Sequence, residues 1–331
     1  MITFRTEVKM PVVEKQLSYR RNILMIGSCF TENIGNYLEN HLFPVQTNPC
    51  GILYNPASIA NCLDLLVTEH QFTSSDLFYA HDAWNNFNFH SRYSNSDPGL
   101  TLEGMNHSLQ LASGKLKTAS HLFITFGTSW VYRDHETGKI VGNCHKLPAN
   151  RFRRERLGTT EMTLQWIDVL KQLLILYPKI SIVLTVSPIR HLKDGSYENQ
   201  VSKSSLFLLI DNLIAHFGSG VITYFPSYDL VMDELRDYRF YAADMLHLNE
   251  VATSFVQEKF NSAFFDPESR EIISRLGKML KTMAHKPFNS KSSTYSELLS
   301  HLAGEAAKIA SDYPFLDFEN LITEIIQKKS L

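Results

Sequence analysis

The chain has 331 residues, enough for one large α/β domain with an extension or for two domains. Hydrophobic residues make up 44% and charged residues 20%, and the net charge of −2 gives no bulk attraction to nucleic acid or to an anionic membrane. Four scattered cysteines (Cys29, Cys50, Cys62 and Cys144), none in a C-x-x-C pair, argue against a disulfide scaffold and show no zinc spacing, so neither metal nor organic cofactor is expected.

Residues 1–20 read as an extended arm with charges every few positions and no apolar h-region, so no signal peptide is expected. No stretch approaches the ~18 apolar residues of a membrane span, and a cytoplasmic location follows as the expectation. Asn22 to Ile26 read as a short buried strand that ends at Gly27-Ser28-Cys29-Phe30. A helix follows to about His41, with Ile34, Tyr37 and Leu38 at helical spacing. Residues 43–56 read as a strand closing in a Pro/Asn/Gly-rich loop, 57–69 as a helix, and 72–98 as an irregular aromatic insertion that covers the site. Strands are predicted at 121–126, 180–186 and 221–225, and a hairpin at 130–142. Helices are predicted at 160–176, 200–217, 227–237 and 249–262.

Alternating strands and helices predict a mainly parallel sheet wrapped on both faces, with its site beyond the carboxyl ends of the strands. Residues 263–331 differ: basic residues gather at 270–292, a Ser-rich stretch follows, and two amphipathic helices fit 295–310 and 317–328. They read as a helical extension after a 1–262 domain, and leave a homo-oligomer through these helices open.

Ser28 sits where a strand turns into a helix, a geometry that brings a hydroxyl to the sheet edge beside unpaired N–H groups. A serine attacks poorly without a base, and Asp244-Met-Leu-His247 supplies an Asp-His pair three residues apart, after the last strand. Ser28 equally suits a plain helix cap. Cys29 is a second nucleophile type at the same elbow; only one of the two side chains can face a cleft, and the serine is the reading taken. Gly51 and Gly127 end strands or strand loops and offer backbone donors to an oxyanion, and Asn143 offers a side-chain donor. Thr128, Ser129, His145, Lys146, Arg190 and His191 complete the expected substrate-binding set, with Arg190 suited to a carboxylate or phosphate.

Gly27-Ser-Cys-Phe-Thr31, Asn48-Pro-Cys-Gly51-Ile-Leu-Tyr-Asn55-Pro, Phe126-Gly-Thr-Ser-Trp-Val-Tyr132, Asn143-Cys-His-Lys146, Thr185-Val-Ser-Pro-Ile-Arg-His191 and Asp244-Met-Leu-His247 together resemble the GSCFA family within the SGNH (GDSL-like) hydrolases. The resemblance spans about 22–262. It implies a flavodoxin-like three-layer α/β/α sandwich with Ser28 as nucleophile, Gly51 in the oxyanion block and Asp244/His247 in the final block. The Gly-x-Asn block of that superfamily reads Gly127-Thr128-Ser129 here, and Asn143 is the expected substitute. The implied activity is hydrolysis or transfer of a small acyl ester, such as a carbohydrate O-acetyl group, through an acyl-serine. The alternative is a non-catalytic ligand-binding module on the same fold. The expected partner is a small-molecule or glycan ester, with no nucleic acid and no membrane.

Overall fold

The computed structural model describes residues 6–284, 287, 292–318 and 321–323. Five parallel strands make the central sheet: β1 (Asn22–Gly27), β2 (Val45–Thr47), β5 (Ala119–Phe126), β9 (Ser181–Val186) and β10 (Ile222–Tyr224). Their spatial order is β2-β1-β5-β9-β10. In register, Leu24 lies opposite Leu122, and Leu122 opposite Ile182. The order reverses between β1 and β5, the switch point at which open α/β sheets place their ligand sites.

The strands are apolar on both faces, as expected of a sheet covered on both sides. Leu24, Ile26, Leu122, Ile124, Phe126, Ile182 and Leu184 face a layer built by α2 (Pro56–Val67), α3 (Pro98–Leu116), α4 (Thr159–Leu176) and α5 (Gly195–Phe217). The alternate residues Ile23, Met25, Phe123 and Val183 face the other layer. That layer holds α1 (Cys29–Asn40), α7 (Glu250–Phe264), α8 (Pro267–Met283) and α9 (Ser293–Asp312). The α/β/α sandwich with a helical C-terminus is therefore present. Ile272, Leu276, Leu299, Leu302 and Ile309 of the C-terminal helices share one core with Leu38, Val256 and Phe260. The second helix expected there, 317–328, lies largely outside the described residues.

Several elements differ from the sequence reading. α3 carries Gly99, Gly104 and Gly114 and shows little amphipathicity, so no helix was predicted there; Asp97, which accepts the Gly99 and Leu100 N–H groups, and Pro98 start it. α8 has a similar start, with Asp266 accepting the Ser269 N–H ahead of Pro267. The 130–142 hairpin, β6 (Trp130–Asp134) and β7 (Ile140–Val141), gains a third strand, β8 (Phe152–Arg156). The 72–98 insertion contains a small hairpin, β3 (Phe78–Ala80) with β4 (Ala83–Asn85), and returns through His90 to the site. The helix expected over 227–237 is a short turn, α6 (Ser227–Asp229), followed by the wider turn Leu230–Glu234. Among the described residues, no helix is long and apolar enough to cross a membrane.

Candidate active site

The elbow after β1 is built around Gly27. Its φ is +152, and a Cβ there would lie 2.4 Å from the Thr125 carbonyl oxygen on β5. Only glycine allows the two strands to approach this closely at their carboxyl ends. The Asn48 side chain accepts the Gly27 N–H at 2.8 Å, and the Gly27 carbonyl accepts the Leu53 N–H at 3.0 Å. The start of α1 is thus held from both sides.

A cavity of about 730 Å³ opens at this end of the sheet, over the switch point. Cys29 lines it, as do Tyr54, Asn55, Asn143 and His191, with Leu246 and His247 from the turn before α7. Ser28 does not line the cavity. It is 1% exposed, and its Oγ accepts the Phe30 N–H at 3.3 Å, capping α1. The elbow therefore turns Cys29, not Ser28, to the cleft. Burial pushes the Cys29 thiol up, while the N–H groups of Phe30 and Cys29 and the Lys203 ammonium pull the other way.

The Asp-His pair forms in the turn before α7. Asp244 Oδ1 accepts the N–H groups of Leu246 and His247 at 2.9 Å each, and Met245 takes a φ of +59. Asp244 Oδ2 then accepts Nδ1–H of His247 at 2.6 Å. These bonds hold the Asp244 carboxyl down to about 2, the His247 hydrogen bond being the largest cause. With Nδ1 held as the donor, Nε2 is the ring nitrogen left to act as a base.

The expected oxyanion glycines do not fit their roles. The Gly51 N–H is committed to the Asn48 carbonyl at 2.7 Å, and Gly51 is packed under His90 outside the cavity wall. The Gly127 N–H is likewise committed to the Tyr54 carbonyl at 2.7 Å. Asn143 does line the cavity; its Oδ1 accepts the His145 N–H, which leaves its NH2 group as the donor. Asn55, at the N-cap of α2, lines the same wall.

The expected substrate-binding residues divide. Thr128, Arg190 and His191 line the cavity. Ser129 is fully buried, and its Oγ and N–H both bond to Ser202 Oγ, so it braces α5 instead. His145 is buried with Nε2 2.8 Å from the Asn86 carbonyl oxygen, which ties down the insertion. Lys146 is exposed, and its carbonyl meets His81. His191 is driven down to about 4, first by burial and then by its neighbours Lys203, His247 and Arg154. It stays uncharged at neutral pH.

Lys203 has no counterpart in the sequence reading. It is 0% exposed beneath the site, and its Nζ donates to the carbonyls of Gly127 (2.7 Å) and Ser187 (2.6 Å), at the carboxyl ends of β5 and β9. Burial pulls its ammonium down to about 7. Tyr54, Asn55 and Trp130, inside the quoted motifs but given no role there, and Arg154 and Lys193, outside them, are further wall residues. Among the described residues, no three His, Cys, Asp or Glu side chains come together as a metal site.

The GSCFA family model matches residues 22–260, 239 of the 331 in the chain. The chain belongs to the GSCFA family. A GSCFA C-terminal domain model also matches residues 276–328. No curated protein matches. Among solved structures, an acetyl xylan esterase from the rumen bacterium Butyrivibrio proteoclasticus is similar at 13% identity and a TM-score of 0.34, over 83% of this chain and 66% of the esterase.

Proposed function

We propose that this GSCFA protein is an SGNH-type acyl hydrolase or acyltransferase whose covalent intermediate forms on Cys29. One observation carries the reading: a nucleophile at the N-terminus of α1 and an Asp-held histidine wall the same cavity at the sheet's switch point. The burial of Ser28 favours its neighbour Cys29 over the expected serine as nucleophile.

The Cys29 thiol is pushed up by burial, so it attacks as a thiol that loses its proton during attack. His247 Nε2 takes that proton while sulfur bonds to the ester carbonyl carbon. Asp244 holds Nδ1–H and favours the imidazolium that results. The Cys29 N–H at the start of α1 meets the developing oxyanion, with the amides of Asn143 and Asn55 as side-chain donors. The carbon–oxygen ester bond breaks, and His247 returns its proton to the departing alkoxide, leaving an acyl thioester. Water, or a hydroxyl of a second substrate, then gives a proton to His247 and attacks the thioester. This releases an acid or a new ester and restores the thiol. A small acyl group on a carbohydrate-sized alcohol suits a cavity of about 730 Å³.

The test is turnover of p-nitrophenyl acetate by the wild type, Cys29→Ala, Cys29→Ser and Ser28→Ala. Losing the nucleophile lowers kcat by ~10⁴ or more, so Cys29→Ala falls to background while Ser28→Ala, which loses only a cap, keeps most of its activity. Equal rates in all four proteins would leave a ligand-binding module as the better reading. Loss confined to Ser28→Ala would return the nucleophile to the serine.

A further inference from the structure

The cavity wall is cationic without matching acids. Arg154, Arg190 and Lys193 all line it, and among the described residues no aspartate or glutamate does. Arg154 is answered from behind by a two-pronged ion pair with Asp194. Among the described residues the other two form no ion pair, although Lys193 lies near enough to Asp194 to help hold its carboxyl down. Lys193 Nζ donates to the neutral Tyr132 hydroxyl at 2.9 Å. Arg190 Nη2 donates to the Met245 carbonyl at 2.5 Å, and its guanidinium lies 4.8 Å from the Tyr241 ring centroid and 5.6 Å from that of Tyr238. Arg190 Nε is buried with no hydrogen-bond partner. A guanidinium partly removed from water, facing neutral groups, is short of an anion. The floor adds no acid: Lys203 lies beneath, with its Nζ bonded to the Gly127 and Ser187 carbonyls.

Arg190 holds the carbonyl of Met245, inside the turn that carries Asp244 and His247. An anion bound there would sit beside the proposed base. Around it the wall is apolar and aromatic, with Trp130, Tyr132, Phe152 and Leu246. Such walls focus the field of the cations into the cleft.

We propose that Arg190 and Lys193 form an anion subsite, and that the substrate is an acyl ester carrying a carboxylate or a phosphate group. The proposal rests on the acyl-transfer reading of Cys29. Arg190 is the specificity-determining member, because its planar donor fork suits either oxyanion group. Lys193 adds charge at the rim. An acidic substituent on the sugar or alcohol, rather than the acyl chain alone, would fill a cavity of this size.

The experiment measures alkylation of Cys29 by iodoacetate and iodoacetamide, read by peptide mapping. The two reagents form the same carbon–sulfur bond and release iodide, and they differ in charge. The expected result is faster labelling by iodoacetate, by about 10-fold, at the low end of electrostatic focusing. The ratio falls toward one in high salt and in both Arg190→Gln and Lys193→Gln. Lys193→Gln removes a charge bonded to the Tyr132 hydroxyl rather than to the His247 turn, so it keeps the test valid if Arg190→Gln disturbs that turn. Protection of Cys29 by succinate but not inorganic phosphate assigns a carboxylate, and the reverse assigns a phosphate. Faster labelling by iodoacetamide, with no salt dependence and no effect of either substitution, overturns the anion subsite and leaves the acyl-transfer reading standing. No labelling of Cys29 by either reagent removes that reading, and the subsite with it.

Discussion

Lys203 makes stability depend on pH in a way that one substitution isolates. Its ammonium is fully buried and pulled down to about 7, against 10.5 for an ordinary lysine. Between those values the unfolded chain binds the proton and the folded chain does not, so stability rises with pH across that window. Integrating the linkage from pH 7 to pH 9 gives a gain of about 2 kcal/mol from this one group. Lys203→Met cannot titrate. It also leaves the Gly127 and Ser187 carbonyls without their donor, at ~1–3 kcal/mol each, but that loss is the same at both pH values. The assay is urea unfolding of both proteins at pH 7 and pH 9. The wild type is expected to gain about 2 kcal/mol more than the variant over that interval. Parallel pH dependences would refute the reasoning, because Lys203 would then carry its proton in both states across the window.

Gly51→Ala is expected to destabilise the fold by about 3 kcal/mol, combining a left-handed φ with an overpacked contact. The φ is +82, and the new Cβ would lie 2.2 Å from His90 Cβ; thermal unfolding reads the loss. Asp244→Asn keeps the turn but loses the carboxylate that orients His247, and kcat for an activated ester is expected to fall roughly 10²-fold, the low end of acid–base help. Unchanged kcat in that variant would remove Asp244 from the mechanism. His121 is 1% exposed on β5, and burial drives it down to about 4 from 6.5. Here too the unfolded state binds more protons inside the window, so stability falls as pH drops from 6.5 toward 4, by up to about 3 kcal/mol. His121→Gln is expected to flatten that decline in acid unfolding curves.

The sheet was legible because its strands are short apolar runs stopped by Gly, Ser and Pro, such as Ile182 to Val186 before Ser187-Pro188. The Asp244–His247 pair was legible as a motif, although the turn that forms it is set by a positive φ at Met245, which no periodicity signals. The orientation of the Gly27-Ser28-Cys29 elbow was not legible. A serine there suits both a nucleophile and a cap, and the Phe30 N–H that Ser28 Oγ accepts is visible only in three dimensions. Lys203 was invisible because a lysine on a helix reads as solvated surface until two strand ends are seen to close over it. Gly51 and Gly127 misled for a similar reason: their N–H groups are used by Asn48 and Tyr54, partners that local sequence does not reveal. α3 shows propensity overridden by packing: Met105, Leu109 and Leu116 bury it despite its glycines.

The most direct test of the acyl-transfer account is to quench the wild type rapidly during p-nitrophenyl acetate turnover and map the acyl group by peptide mass spectrometry. The account predicts a hydroxylamine-sensitive acetyl thioester on Cys29, present in Ser28→Ala and absent in Cys29→Ala. An acetyl ester on Ser28, or turnover with no acyl adduct on either residue, would contradict it.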